Sequence, residues 1–435
     1  MDHPQIVMRP IGSLRPYPGN ARTHSKKQIK QIEGSIRRFG FTNPVLISDD
    51  DEIIAGHGRV LAARGLGMTE VPALRLSHLS PEERRAYVLA DNKLALNAGW
   101  DQELLAIEFQ ALIDLGFDIE LTGFSLAEVD FTLDAANDGD PNLLVGPEDE
   151  LPATPDVATS RRGDVWLLGR HRLICGDARV PEDYSRLLGD EVVDLVFTDP
   201  PYNVPISGHV SGMGKVKHRE FAMASGEMSV SAFTAFLSET LGAGAARCRQ
   251  GAIAFVCMDW RHMGEILEAG AAVFDELKNL CVWNKTNAGM GTFYRSKHEL
   301  VFVYKIGDDA HVNSFGLGET GRYRTNVWDY AGVNTMGAKR MEELEMHPTV
   351  KPVALVADAI RDCSRRGEIV LDMFGGSGTT LIAAERVGRN ARLIEYDPLY
   401  CDTIITRYER FTGKPATLQE SGSTFEETGV IRSGD

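Results

Sequence analysis

Apolar positions along this chain follow two rhythms, and the switches between them mark out its parts. From Gln28 to Phe39, Ile29, Ile32 and Ile36 recur at the spacing of one helical face, and Gly40 is a stop signal for that helix. Pro44-Val-Leu-Ile-Ser48 then reads as a short strand, and the acidic turn Asp49-Asp-Asp-Glu52 leads to a second, Ile53-Ile-Ala55. Gly56-His-Gly-Arg59 follows, with a helical Val60-Leu-Ala-Ala-Arg64 behind it. Helical spacing returns in Leu104, Leu105, Ile107, Phe109, Leu112, Ile113 and Leu115, and again from Phe124 to Phe131. Between Ala135 and about Ser160 the pattern dissolves into Asp, Asn, Gly, Pro and Thr, the composition of a linker.

Beyond that stretch, short continuous apolar runs predict strands at Val165–Leu168, His171–Cys175, Val192–Phe197, Ala252–Cys257, Asn279–Trp283, Leu300–Tyr304, Ile369–Met373 and Ala391–Glu395. Helical stretches such as Ala232–Ala246 and Pro352–Ser364 lie between some of them. Strands alternating with helices predict an α/β class with a doubly wound, mostly parallel sheet, preceded by a small α+β unit. The expected divisions are a unit at 1–95, an acidic helical extension at 96–134, an acidic linker at 135–160, an α/β domain at 161–416 and a disordered Ser/Gly/Thr/Glu-rich tail at 417–435. No internal repeat is present.

Composition narrows the class. With 43% hydrophobic and 25% charged residues the chain matches soluble globular proteins. No apolar run nears the roughly 20 residues that span a bilayer. No basic flank and apolar core of a secretory signal follow Met1, so a cytoplasmic setting is expected. The six cysteines are scattered without a C-x-x-C pair, which argues against a disulfide framework or a Cys-rich zinc site, and no metal is expected. The net charge of -16 speaks weakly against a polyanionic partner until its distribution is considered. Residues 94–160 hold 15 acids and not one Lys or Arg. Residues 1–93 are net +4 and residues 161–435 net −5, so the acidity is one block between two nearly balanced regions. That block is expected to face away from a nucleic-acid partner or to compete with it as an acidic mimic.

Three motifs carry candidate chemistry. The run Val192-Val-Asp-Leu-Val-Phe leads into Asp199-Pro200-Pro201-Tyr202, at the strand end where open α/β sheets bind ligands. Two prolines stiffen the loop and remove two donors. A carboxylate, a free carbonyl and an aromatic face suit a planar group bearing an exocyclic amine. In the second motif a strand ends at Asp372, and Gly375, Gly376 and Gly378 then allow positive φ and close backbone approach to a ligand before a helix begins. No Lys follows these glycines, so the loop is not a phosphate-cradling P-loop. Seventeen residues past Gly378, Glu395 ends the next strand, at an offset that suits ribose hydroxyls. The third motif is His347-Pro-Thr-Val-Lys-Pro352, a proline-led helix start that fits as a wall of the same pocket.

In this order the motifs resemble the amino-methyltransferases of DNA in their beta arrangement, over roughly Gly163–Ala416. The resemblance implies a Rossmann-like methyltransferase fold that uses S-adenosylmethionine. It implies that Asp199 and the Pro200 carbonyl hold the target amine beside Pro201, with Tyr202 stacked on the base. Asp372, Phe374, Gly375, Gly376, Ser377, Gly378 and Thr379 would line the cofactor site. Glu395 would take the ribose, Asp177 would lie near the adenine, and Thr349 and Lys351 would approach the methionine end. Met373 departs from the family, which usually has Pro there. Within the family the form beginning with Asp usually accompanies adenine, so N6-methyladenine is expected, with N4-methylcytosine as the alternative. The target base must be flipped out of the duplex.

Double-stranded DNA is therefore the expected partner. Between 283 and 341 eight bases face five acids, with Tyr294, Tyr323 and Trp328 interleaved. Lys285, Arg295, Lys297, Arg322, Arg324, Lys339 and Arg340 are the candidates there for contacts to base edges and phosphates. Lys215, Lys217 and Arg219 form a second cluster after the catalytic loop.

Residues 5 to about 95 resemble the ParB/sulfiredoxin fold through Ile53-Ile-Ala-Gly-His-Gly-Arg59 and Asn20-Ala-Arg-Thr-His24. The resemblance implies that Gly56, His57, Gly58 and Arg59 form a nucleotide or phosphate turn at a helix N-terminus, with His57 at a variable position. No helix-turn-helix segment is visible after it. Nuclease, nucleotide-switch and docking roles stay open for this unit, with docking favoured, and so does a homodimer. Two rivals are disfavoured. Protein-amide methylation typically uses Asn first and the glycine motif upstream, and a ParB-like regulator with a decayed methylase domain would not keep complete motifs.

Overall fold

Local signals set the element ends. Ser25 accepts a hydrogen bond from the Gln28 N–H and Gly40 takes φ 82°, so helix α1 runs Lys26–Phe39. The computed structural model describes residues 5–137, 149–204, 226–285, 293–314, 324–331 and 350–434. The chain forms two compact units, Met1–Asp138 and Gly139–Asp435.

In the first unit, strands β1 (Ile6–Pro10), β2 (Arg15–Pro16), β3 (Val45–Ile47), β4 (Glu52–Ala55) and β5 (Glu70–Arg75) form a sheet in the order β1-β5-β3-β4-β2. Helix α2 (His57–Gly65) starts directly after β4, and its buried Val60 and Ala63 join Val45, Ile47, Ile53, Val71 and Ala73 in one core. A capping box between Ser80 and Glu83 opens α3 (Pro81–Leu96). Helices α4 (Gln102–Asp114) and α5 (Leu126–Asn137) close a separate small core of Phe109, Ile119, Val129 and Leu133. Glu103, Glu108, Asp114, Glu128 and Asp130 of the acidic stretch lie on this helical pair.

The second unit is built on strands β6 (Val165–Leu168), β7 (His171–Cys175), β8 (Val193–Thr198), β9 (Cys248–Met258), β10 (Glu276–Asn284), β11 (His298–Ile306), β12 (Val327–Asp329), β13 (Ile369–Asp372), β14 (Asn390–Glu395) and β15 (Thr417–Leu418). Among the described residues they form one sheet, ordered β12-β10-β11-β9-β8-β13-β14-β7-β6-β15. The central run β9-β8-β13-β14-β7 is parallel throughout. Its helices are α6 (Pro181–Leu188), α7 (Val230–Ala245), α8 (Met263–Val273), α9 (Val353–Cys363), α10 (Thr379–Arg386), α11 (Pro398–Thr412) and α12 (Phe425–Ser433). Leu195 and Phe197 of β8 enter one core and Val196 the other. A sheet covered on both faces explains why these strands read as continuous apolar runs. The eight strands expected from those runs are all present, with ends that differ from expectation by at most four residues. Among the described residues, no helix is long and apolar enough to cross a membrane.

Two stretches differ from expectation. The tail is not disordered: β15 pairs with β6, and α12 opens on a second capping box, Thr424 with Glu427. Phe425 sets its ring edge-on to buried Trp166 at 5.4 Å, and Arg432 pairs with Asp164. A polar composition hid one apolar anchor. The end of the linker is also docked. Asp149 and Leu151 are buried, and the Thr159 and Ser160 N–H groups donate to the Asp402 carboxylate at 2.5 and 2.9 Å. If Phe425 anchors the tail, Phe425→Ala should cost about 2 kcal/mol in urea unfolding, and an unchanged midpoint would refute the anchor.

Candidate active site

Parallel pairing brings four strand ends side by side. Asp199 follows β8, Asp372 ends β13, Glu395 ends β14, and Gly176-Asp177 follow β7. Backbone bonds continue the alignment past the strands: Gly375 N–H donates to the Ile394 carbonyl and Gly176 N–H to the Glu395 carbonyl, both at 2.9 Å. Residues far apart in sequence thus share one sheet edge, at the place where such sheets bind ligands.

The Asp199 carboxylate is held from two sides. The Tyr202 hydroxyl donates to Oδ1 at 2.6 Å, and Lys351 Nζ reaches Oδ2 at 2.6 Å. Lys351, only 4% exposed, also contacts Glu299 Oε2 at 3.0 Å and the Tyr202 hydroxyl at 3.2 Å. Lys285 pairs with the other Glu299 oxygen. Burial alone would lower the Lys351 pKa, but Asp199 and Glu299 outweigh it and raise it, so the ammonium stays charged. Burial would raise Glu299, yet Lys351 and Lys285 hold it down at about 2. Burial, then the neighbouring carboxylates, push the Tyr202 phenol up. The loop turns away after Tyr202 at Asn203, with φ 52°, whose amide oxygen accepts from the Gly226 and Met228 N–H groups. Pro200 is buried and Pro201 half-buried beside them.

The glycine loop is fastened from below. Asp372 accepts hydrogen bonds from the Thr198 hydroxyl (3.0 Å), the Phe374 N–H (3.1 Å) and the Thr380 hydroxyl (2.6 Å). It ties the end of β8 to the loop and to the first turn of α10. Burial pushes its carboxyl up to about 7. Gly376 and Gly378 take φ 53° and 81°, and a Cβ on Gly378 would lie 3.1 Å from Ile404. Ser377 and Thr379 are held by Arg407, and Phe374 packs near Phe236. Glu395 accepts the Gly376 N–H on one oxygen (2.7 Å) and the Asp397 N–H on the other (2.8 Å). Each oxygen keeps a second lone pair for a further donor. Burial pushes this carboxyl up to about 7 as well. Asp177 is clamped by Arg179; burial opposes ionisation, but the Arg179 hydrogen bonds prevail and its pKa is lowered.

Sequence reasoning missed Glu299, Thr198, Asn203, Thr380 and Arg407. Glu299 is the second residue of β11, directly ahead of its buried apolar run, and nothing in its spacing links it to Lys351. Lys351 itself sits at the Asp199 carboxylate.

The expected DNA contacts separate into three groups. Arg295 and Lys297 are exposed, next to the exposed rings of Phe293 and Tyr294. Lys285 and Arg324 are engaged internally. Arg324 contacts Asp362 (2.9 Å), Asp358 (3.5 Å) and the Tyr330 hydroxyl (3.0 Å), an internal engagement that competes with its expected role at DNA. Those carboxylates lie on a helix beyond the basic segment, so sequence could not show the pairing. Lys215, Lys217, Arg219, Arg322, Lys339, Arg340 and Thr349 lie outside the described residues.

In the first unit Gly56, at φ 99°, starts α2, and His57 Nε2 accepts from the Tyr17 N–H at 3.3 Å. Burial, then nearby His24, lower the His57 pKa. Gly58 is buried against His24. Arg59 donates to the carbonyls of Asn43 and Pro44 at 2.7 and 3.1 Å. Its guanidinium is thus turned onto the backbone.

A family model described as DNA methylase matches residues 193–406, and the ParB N-terminal domain matches residues 2–93. A ParB-methyltransferase HTH domain matches residues 103–162, correcting the expectation that no such segment follows the ParB unit. Acidic side chains on α4 and α5 obscured it. Over 81 residues the chain is 54% identical to the ParB-like nuclease domain-containing protein YnaK of Escherichia coli (strain K12), covering 19% of this chain and 93% of that protein. Among solved structures, the M1.HpyAVI–SAM complex is 21% identical over 54% of this chain and 97% of its own, with a TM-score of 0.40. The PvuII DNA methyltransferase, cytosine-N4-specific, is 13% identical over 65% and 95%, with a TM-score of 0.41. The chain thus carries a DNA methylase domain of the N6-adenine and N4-cytosine type together with an N-terminal ParB domain.

Two predictions follow from the charges. Arg324→Ala should cost about 2 kcal/mol of stability, because buried Asp362 loses its 2.9 Å contact with the guanidinium, while Asp358 keeps Arg361. The salt dependence of DNA binding should stay as it was; a shallower slope would return Arg324 to the DNA contacts. Glu395 has a folded pKa of about 7 against an ordinary 4.5. Across that window the folded state keeps a proton that the unfolded state has lost, so this group's contribution to stability falls as pH rises. Glu395→Gln should flatten the decline measured by thermal unfolding between pH 5 and 8, with Asp372 keeping its own share; an unaltered profile would contradict the assignment.

Proposed function

We propose that this protein transfers a methyl group from S-adenosylmethionine to the N6 amine of an adenine flipped out of double-stranded DNA. The observation that carries the reading is the Asp199 carboxylate, held by Tyr202 and Lys351 at the end of β8, beside the Asp372-to-Thr379 loop.

The residues present suit the cofactor. Glu395, with one backbone N–H on each oxygen, retains acceptor capacity for a vicinal diol. Phe374 and the Gly375–Thr379 backbone would line the remainder, with Asp177 toward the adenine and Lys351 toward the methionine end. When bound, the cofactor supplies an electrophilic sulfonium methyl group. Asp199 and the Pro200 carbonyl accept hydrogen bonds from the target amine, which draw its lone pair out of ring conjugation. Lys351 and Tyr202 keep the carboxylate oriented, and Tyr202 offers its ring to the base. Positioning and preorganised charge account for the rate, without a covalent enzyme intermediate.

The Asp that opens the motif favours adenine; the same acceptors would hold the N4 amine of cytosine, a base the family also covers. Arg295 and Lys297, with the Phe293 and Tyr294 rings, are proposed to meet DNA. The ParB unit is proposed as a docking module, since Arg59 is engaged with backbone carbonyls.

Nucleosides from DNA incubated with the protein and S-adenosylmethionine should contain N6-methyladenine by mass spectrometry. N4-methylcytosine alone would overturn the choice of base. Asp199→Ala should lower transfer by about a thousandfold, and full activity would refute the site.

A further inference from the structure

Helix α9 begins two residues after Lys351, and its start is capped from far away. The cap position is Pro352, whose side chain offers no acceptor. Asp149 supplies one: its Oδ1 accepts the Val353 N–H at 2.8 Å, across 204 residues of sequence. Both partners are buried, Asp149 at 3% exposure, and buried Leu151 anchors the segment beside it. A buried carboxylate at a helix N-terminus satisfies an otherwise orphan donor and opposes the helix dipole.

The consequence reaches the chemistry through Lys351. A lysine stem is flexible, so an ammonium held 2.6 Å from Asp199 and 3.0 Å from Glu299 needs a fixed backbone origin. The Asp149 cap fixes the peptide immediately after Lys351-Pro352. We infer that Asp149 is a positioning residue for methyl transfer: the end of the acidic segment seats the catalytic lysine by capping α9. The inference rests on the proposed role of Asp199 as acceptor of the target amine. It gives a linker-like sequence a part in the reaction, acting through Lys351 and without contact to the substrate.

The test measures kcat and KM for DNA and for S-adenosylmethionine in the full-length protein. Asp149→Ala should lower kcat about tenfold, the rate equivalent of a lost cap, with both KM values nearly unchanged. Asp149→Asn keeps an acceptor of the same reach and should restore kcat, while Glu150→Gln, at an exposed neighbour, should behave as the native chain. In a Lys351→Met background, Asp149→Ala should add no further loss, because both act on one contact. Native kcat in Asp149→Ala, a loss that Asn does not rescue, or an equal added loss without Lys351 would each overturn the inference. These outcomes differ from an active Asp199→Ala, which would instead sink the assignment of the acceptor beneath it.

Discussion

The buried contact between Lys351 and the carboxylates of Asp199 and Glu299 is the constraint around which this active site is arranged. Buried charges are costly unless paired, and removing one partner leaves the rest exposed to that cost. Here Lys285 completes the balance, giving two ammonium groups against two carboxylates. The motif loop after β8, the strand bearing Glu299 and the start of α9 must therefore meet at one point. Asp199 is held as an oriented acceptor, with one hydroxyl and one ammonium already on its oxygens, and the proposed role in amine methylation draws on that preorganisation.

A second group of acids serves the neighbouring strand ends differently. Asp372 and Glu395 lack cationic partners among the hydrogen bonds that hold them, and burial pushes both carboxyls up to about 7. Asp372 spends its acceptors on Thr198, Phe374 and Thr380, making it a brace within the fold. Glu395 spends one per oxygen and keeps capacity for a ligand. The same residue type thus acts as a brace or as a contact according to how many internal donors surround it.

The net charge of -16 changes meaning in this light. The acidic block is no uniform repulsive tail. Part of it lies on α4 and α5, within the segment matching a ParB-methyltransferase HTH domain, and its far end is built into the methylase unit through Asp149 and Leu151. An acid that caps a helix does not act on DNA as free surface charge.

Periodicity determined much of the fold: eight apolar runs became eight strands, and Gly40, Gly56 and Gly378 marked helix ends by local chemistry. Motif order likewise placed Asp199, Glu395 and the glycine loop, because strand-end loops of a parallel sheet converge whatever their separation in sequence. The pairing of Lys351 with Glu299, the pairing of Arg324 with Asp358 and Asp362, and the cap from Asp149 were decided only in three dimensions. Local spacing reports which face of its own element a residue occupies. Long-range charge pairs depend on which elements the tertiary fold brings together, and no periodicity encodes that.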